Sequence, residues 1–129
     1  MAMLYREPNM VKWVGVRPGH NGTQIAKYAA VVNATAIVHT VTAGKTLFLC
    51  TATLGMSVAS AGSGILFIRD GADVLTMLLA ALQWSAGGGL HSGPFTAYPP
   101  IEIPSGYDIV VESTAAVLTV VGSIFGWEE

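Results

Sequence analysis

Short apolar runs, broken at close intervals by Gly, Pro, Asn, Asp and Ser, set the rhythm of this chain. In residues 36–41, Ile37, His39 and Val41 alternate with Val38 and Thr40, the two-residue period of a strand. Thr42-Ala43-Gly44-Lys45 reads as a tight turn, and residues 46–54 as another strand whose only polar side is its threonines. A strand apolar on both faces is buried on both, or meets a partner chain. Residues 23–34 suit a short helix or a strand; Val31-Val32 and the threonines that follow favour the strand. Residues 64–69 form the next strand, closed by Asp70-Gly71, a strong hairpin signal. Residues 74–83 are ambiguous: Leu75, Met77, Leu78, Leu79 and Leu82 have high helix propensity, but a position across a hairpin turn favours a strand. Glycine content makes residues 87–93 a surface loop.

The C-terminal stretch repeats the pattern. Pro99-Pro100 belongs at a strand beginning or on an edge, so a strand is expected to start after it. Pro104-Ser105-Gly106 supplies a turn, and residues 107–111 and 117–125 are two further apolar strands. Seven to nine strands with turn signals every eight to twelve residues predict an all-β protein, an antiparallel β-sandwich or jelly roll. We place it at residues 23–129. Residues 1–22, interrupted by Pro8 and Pro18, read as an extended N-terminal arm, with residues 10–16 long enough for one short strand.

Composition then narrows the setting. Of 129 residues, 52% are hydrophobic and only 11% charged, against about 25% charged in an ordinary soluble domain. Mean hydropathy is +0.56. Such a surface must be hidden in a membrane, an obligate oligomer or a larger assembly. Residues 46–68 carry no charge and are long enough to cross a bilayer as a helix. Gly55, Gly62 and Gly64 with Ser57, Ser60 and Ser63 break that helix into two strands and a loop, so no membrane span is expected. Arg6, Glu7 and Lys12 precede any apolar run, which argues against a signal peptide.

The net charge of −2 gives no general affinity for nucleic acid. The charges are unevenly placed. Residues 1–64 hold Arg6, Lys12, Arg17, Lys27 and Lys45 against Glu7, or +4; residues 65–129 hold Arg69 against seven carboxylates, or −6. Arg6, Lys12, Trp13 and Arg17 therefore mark the arm as a candidate for docking on an acidic neighbour. The Trp13 indole, with its large apolar area, packs either on a neighbouring subunit or on the protein's own core. The single Cys50 excludes an internal disulfide and, within an apolar strand, reads as a small buried residue.

Candidate chemistry is sparse. His20, His39 and His91 are too far apart for a local metal motif, and none has the His-x-His neighbour of a cupin-type site. His39, in an apolar strand, reads as a hydrogen-bonded core or interface residue. Asp70 and Asp73 lack the oxygen-ligand run of a calcium loop and fit turn chemistry. Gly87-Gly88-Gly89 lacks the Lys-Ser/Thr of a phosphate loop, and there is no Gly-x-Ser-x-Gly. The expectation is a non-enzymatic protein without metal or cofactor. Trp84, Tyr98 and Trp127 are candidates for an oligomer or ligand surface. As a sugar site, Trp13, Trp84 and Trp127 with Tyr98 and Tyr107 are poorly supplied with polar neighbours: Gln83 stands beside Trp84, and Asp108 beside Tyr107.

Two segments, residues 38–49 with Val41-Thr42-Ala43-Gly44-Lys45 and residues 100–128 with Ile103-Pro104-Ser105-Gly106, resemble small jelly-roll structural proteins of tailed bacteriophages. That group includes capsid decoration (cement) proteins and tail or fibre knobs, and the likeness covers about a third of the chain. It implies a non-enzymatic virion protein, a homodimer or homotrimer that meets the major capsid protein or another virion component. A capsid decoration protein that stabilises the phage head is the first expectation, and a tail or fibre module that binds a cell-surface glycan is the alternative.

Overall fold

A computed structural model describes residues 22–58, 61–84, 89–114 and 119–129. Its eight elements are all strands: β1 (Thr23–Val32), β2 (Thr35–Thr40), β3 (Leu47–Val58), β4 (Gly62–Arg69), β5 (Leu75–Trp84), β6 (Gly89–Ile103), β7 (Asp108–Ser113) and β8 (Thr119–Glu128). They form two four-stranded sheets, β1-β8-β3-β6 and β2-β7-β4-β5, antiparallel throughout.

The order has a simple origin. First pairs with last, second with seventh, third with sixth and fourth with fifth, as in one long hairpin folded at the β4–β5 turn. Alternate pairs then fall into opposite sheets, joined by β3 against β8 and β4 against β7. That rolled hairpin is the jelly roll, so the expected fold class is the observed one. Every connection except β4–β5 crosses between sheets.

The core lies between the sheets. Leu47, Leu49 and Leu54 of β3, Ile103 of β6 and Val120 of β8 meet Leu66 of β4 and Ile109 and Val111 of β7, all without solvent exposure. The inward alternation is what buries each sheet's apolar face. Gly122 of β8 also points inward, where a Cβ would come within 2.9 Å of Leu66 Cδ1 and 3.0 Å of Val111 Cβ. Its missing side chain sets how closely the sheets approach.

The ambiguous segment is strand β5, as its place across the hairpin turn favoured, and pairing along β4 overrides its helix propensity. Other expectations change. Pro99-Pro100 does not start a strand but lies within β6. It falls among residues 97–100, which sit between the paired Thr96 and Ile101, where β3 passes only Cys50. β6 is an edge strand, and prolines that give no N–H to a ladder are tolerated there. The loop expected over 87–93 is shorter, because β6 already begins at Gly89; residues 87 and 88 lie outside the described residues. Cys50 is half-buried rather than buried, as the extra residue of the β3 bulge, and burial raises its thiol pKa.

Candidate interaction surfaces

Both turn motifs of the sequence come to the same end of the sandwich. Gly44 and Gly106 adopt left-handed backbone angles (φ 79° and 81°) that glycine takes without strain. The Gly44 N–H donates to Ser105 Oγ at 3.0 Å, and the Gly106 N–H to the Val41 carbonyl at 3.1 Å. The chain's end joins them: Thr46 and Glu129 exchange backbone hydrogen bonds of 2.9 and 3.1 Å. The β4–β5 turn completes this rim. Asp70 Oδ1 accepts from the Ala72 and Val74 N–H groups, the turn chemistry expected of it.

Two polar clusters tie the rim together. His39 of β2 and Glu128 of β8 both point inward and meet across the sheets at 2.7 Å. The Glu128 carboxylate also accepts from the Thr42 N–H at 3.1 Å, and its side chain is only 4% exposed. Burial pushes its pKa up, but the hydrogen bonds from His39 and Thr42 and the imidazole's charge outweigh it, and the carboxyl is held below its ordinary value. On the outer side of the second sheet, Arg69 pairs with Asp108 and Asp73, each at 3.2 Å, and Thr40 Oγ1 donates to Asp108 Oδ1 at 2.6 Å. Sequence reasoning singled out His39 but missed Glu128 and Asp108 as its and Arg69's partners. The pairs are 89 and 39 residues apart in sequence, so only the strand order reveals them.

The outer faces differ. On the second sheet the register places Ile37, Val110, Phe67 and Leu78 in one row across all four strands. That apolar row is bordered by the Thr40–Asp108–Arg69 cluster on one side and by Glu112 on the other. On the first sheet, rows such as Tyr28–Ser123–Thr53 and Ala26–Phe125–Thr51 carry no charge from β1 through β8 to β3. Lys27 of β1 stands in register with the inward Ile124, on the opposite side. Tyr28 is 75% exposed, and Val32, Val121 and Phe125 are also open to solvent.

Of the residues singled out from sequence, Arg6, Lys12, Trp13 and Arg17 lie outside the described residues. Trp84 ends β5, at the opposite end of the sandwich from the rim. Tyr98 is 77% exposed on the edge strand β6. Trp127, expected at a surface, is only 4% exposed. Its indole stacks on Phe48, with ring centroids 5.2 Å apart, and donates to Glu129 Oε2 at 3.0 Å. Trp127 stands on β8, which β1 and β3 flank, and the Phe48 ring from β3 covers one face of its indole. The three aromatics therefore do not converge on one site.

Between the edge strands β5 and β6, near the rim, lies a cleft of about 200 Å³ lined by Ile68, Met77, Ile101, Ile103, Tyr107 and Glu102. It is smaller than the roughly 300–1,000 Å³ of typical small-molecule pockets. Among the described residues no three His, Cys, Asp or Glu side chains are grouped to hold a metal.

No protein-family model matches the chain, and no curated protein sequence matches it. Among solved structures, a chain of the cyanophage Pam1 capsid asymmetric unit is similar at 15% identity and TM-score 0.50, covering 98% of this chain and 93% of that one. The capsular polysaccharide assembling protein CapF from Staphylococcus aureus aligns at 11% identity and TM-score 0.29, over 81% of this chain and 24% of its own. A chain titled BiXyn10A CBM1 aligns at 12% identity and TM-score 0.28, over 82% and 96%. At these identities the Pam1 likeness speaks for the fold, a sandwich matched along nearly its whole length.

Proposed function

We propose that this chain is a non-enzymatic structural protein of a bacteriophage particle, a capsid decoration protein that associates with its own copies and with the major capsid protein. The observation that carries this reading is the exterior of the sandwich. One outer face is uncharged across three strands and exposes Tyr28, Val121 and Phe125, and the other exposes Ile37 and Leu78 at the two ends of an apolar row. A surface of this kind needs protein partners. The turn-motif resemblance to phage jelly-roll proteins and the full-length likeness to a chain of a cyanophage capsid unit support the virion as the setting. The arm, with Arg6, Lys12, Trp13 and Arg17, is the segment we assign to docking on a capsid neighbour. The test is co-sedimentation with undecorated capsids, for the full chain and for residues 23–129. Pelleting of the full chain, weakened by loss of the arm, is the expected result; pelleting of neither removes the reading.

A second reading, glycan binding by a tail or fibre module, has one observation in its favour: the exposed Tyr98 ring on an edge strand. It predicts glycan-array signals that vanish in Tyr98→Ala. Signals that survive the substitution, or none at all, dispose of it.

A further inference from the structure

We infer that the outer face of the β1-β8-β3-β6 sheet is the site where two copies of this protein pack against each other, face to face across a two-fold axis. The inference rests on the homo-oligomeric part of the proposed function and names its surface. When a face meets its own copy across a two-fold axis, a charge lying near the axis approaches its own symmetry mate, a like charge, which costs stability. The second sheet's outer face carries Asp108, Asp73 and Glu112 with only Arg69 against them. Among the described residues, the first sheet's face carries no charge from β1 to β3 away from its rim. Its residues from β1 to β3 are Gln24, alanines, Tyr28, Val32, Val121, Phe125 and Phe48, with threonine, serine and glycine between them, while Trp127 is buried beside Phe48. The nearest carboxylates, Glu102 beside Phe48 and Glu129 beside Trp127, stand at the rim end, away from the centre.

Shape and size agree. Three strands about 4.8 Å apart and ten residues long present roughly 500 Å² of face. Pairing two such faces removes about twice that from water, which reaches the roughly 1,000 Å² expected of a specific interface. Tyr28, standing well clear of its neighbours, is the anchor, since exposed tyrosines dominate interface energetics. Small residues around it, Ala26, Ala30, Ser123 and Thr53, leave room for the partner's ring.

The test is absolute mass of the full chain by light scattering behind a sizing column, with dissociation followed on dilution. A dimer is expected. Tyr28→Asp should weaken self-association at least about 30-fold, the factor for loss of an interface hot spot, while the circular dichroism spectrum stays that of the wild type. Because an aspartate on a strand can also disturb folding, a second variant is read in parallel. Ser123→Cys in a Cys50→Ala background, placed near the centre of the face, should be joined to a covalent dimer by a short bismaleimide. A monomer or trimer in the wild type, a dimer indifferent to Tyr28→Asp, or the absence of crosslinked dimer overturns the inference. Failure to bind capsids while the dimer holds counts against the virion reading and leaves this interface intact.

Discussion

Glu128 shows how much one side chain can matter at the rim. It sits at an inward position of β8, where Leu47 is its neighbour in register, and it survives there because His39 and the Thr42 N–H satisfy its carboxylate. Its folded pKa is depressed, so the stability it contributes is present above the unfolded value of about 4.3 and is lost as pH falls through the lower folded value. Urea midpoints measured from about pH 6 down to pH 3 should therefore fall in the wild type and fall less in Glu128→Gln. At neutral pH the variant should be less stable by about 1–3 kcal/mol, the cost of weakening a buried charge-assisted hydrogen bond. Equal acid slopes for the two proteins contradict this role. At this scale the sequence was only half legible. His39 was recognisable as a satisfied residue of an apolar strand, while its partner depended on β2 and β8 meeting across the sheets. Trp127 was named as a surface aromatic, but its stacking on Phe48 depends on β8 pairing with β3, which spacing in the sequence does not reveal.

Strands were legible wherever alternation or a turn signal marked them. The Asp70-Gly71 and Pro104-Ser105-Gly106 turns both stand where expected. Bulges hid the rest. On β5 the register shifts place Leu79 and Ala80 opposite the same inward stretch of β4, which destroys the two-residue period and leaves a leucine-rich run that looks helical. On β6 the residues around Pro99-Pro100 loop out of the ladder, so the prolines looked like a strand boundary. The inward glycine of β8 gives a direct check on the packing of these elements. Gly122→Ala places a methyl within 2.9 Å of Leu66 Cδ1 and 3.0 Å of Val111 Cβ, on strands of the opposite sheet. Such overpacking costs about 1–3 kcal/mol, and denaturant unfolding should show it. Gly122→Ala should cost less in a Leu66→Ala background than in the wild type, a coupling read from a double-mutant cycle; a Gly122→Ala variant as stable as wild type contradicts close contact between the sheets at β8.

The whole molecule was foreshadowed by its composition. With 11% charged residues, the chain cannot cover two sheets with polar side chains, and the structure shows where the deficit falls: on the outer faces rather than in the core. Charge poverty therefore pointed to partners, but not to which face receives them, because that depends on register. Strand spacing and turn chemistry were enough to indicate a sandwich, and the nested pairing makes it a jelly roll. The fold alone is shared by proteins of unrelated roles, so function rests on the surface it carries. The most direct measurement is titration of undecorated capsids with the purified protein, reading bound protein per capsid subunit. We predict saturation at a fixed small-integer ratio set by capsid symmetry. Binding that never saturates, or none at all, contradicts a decoration role.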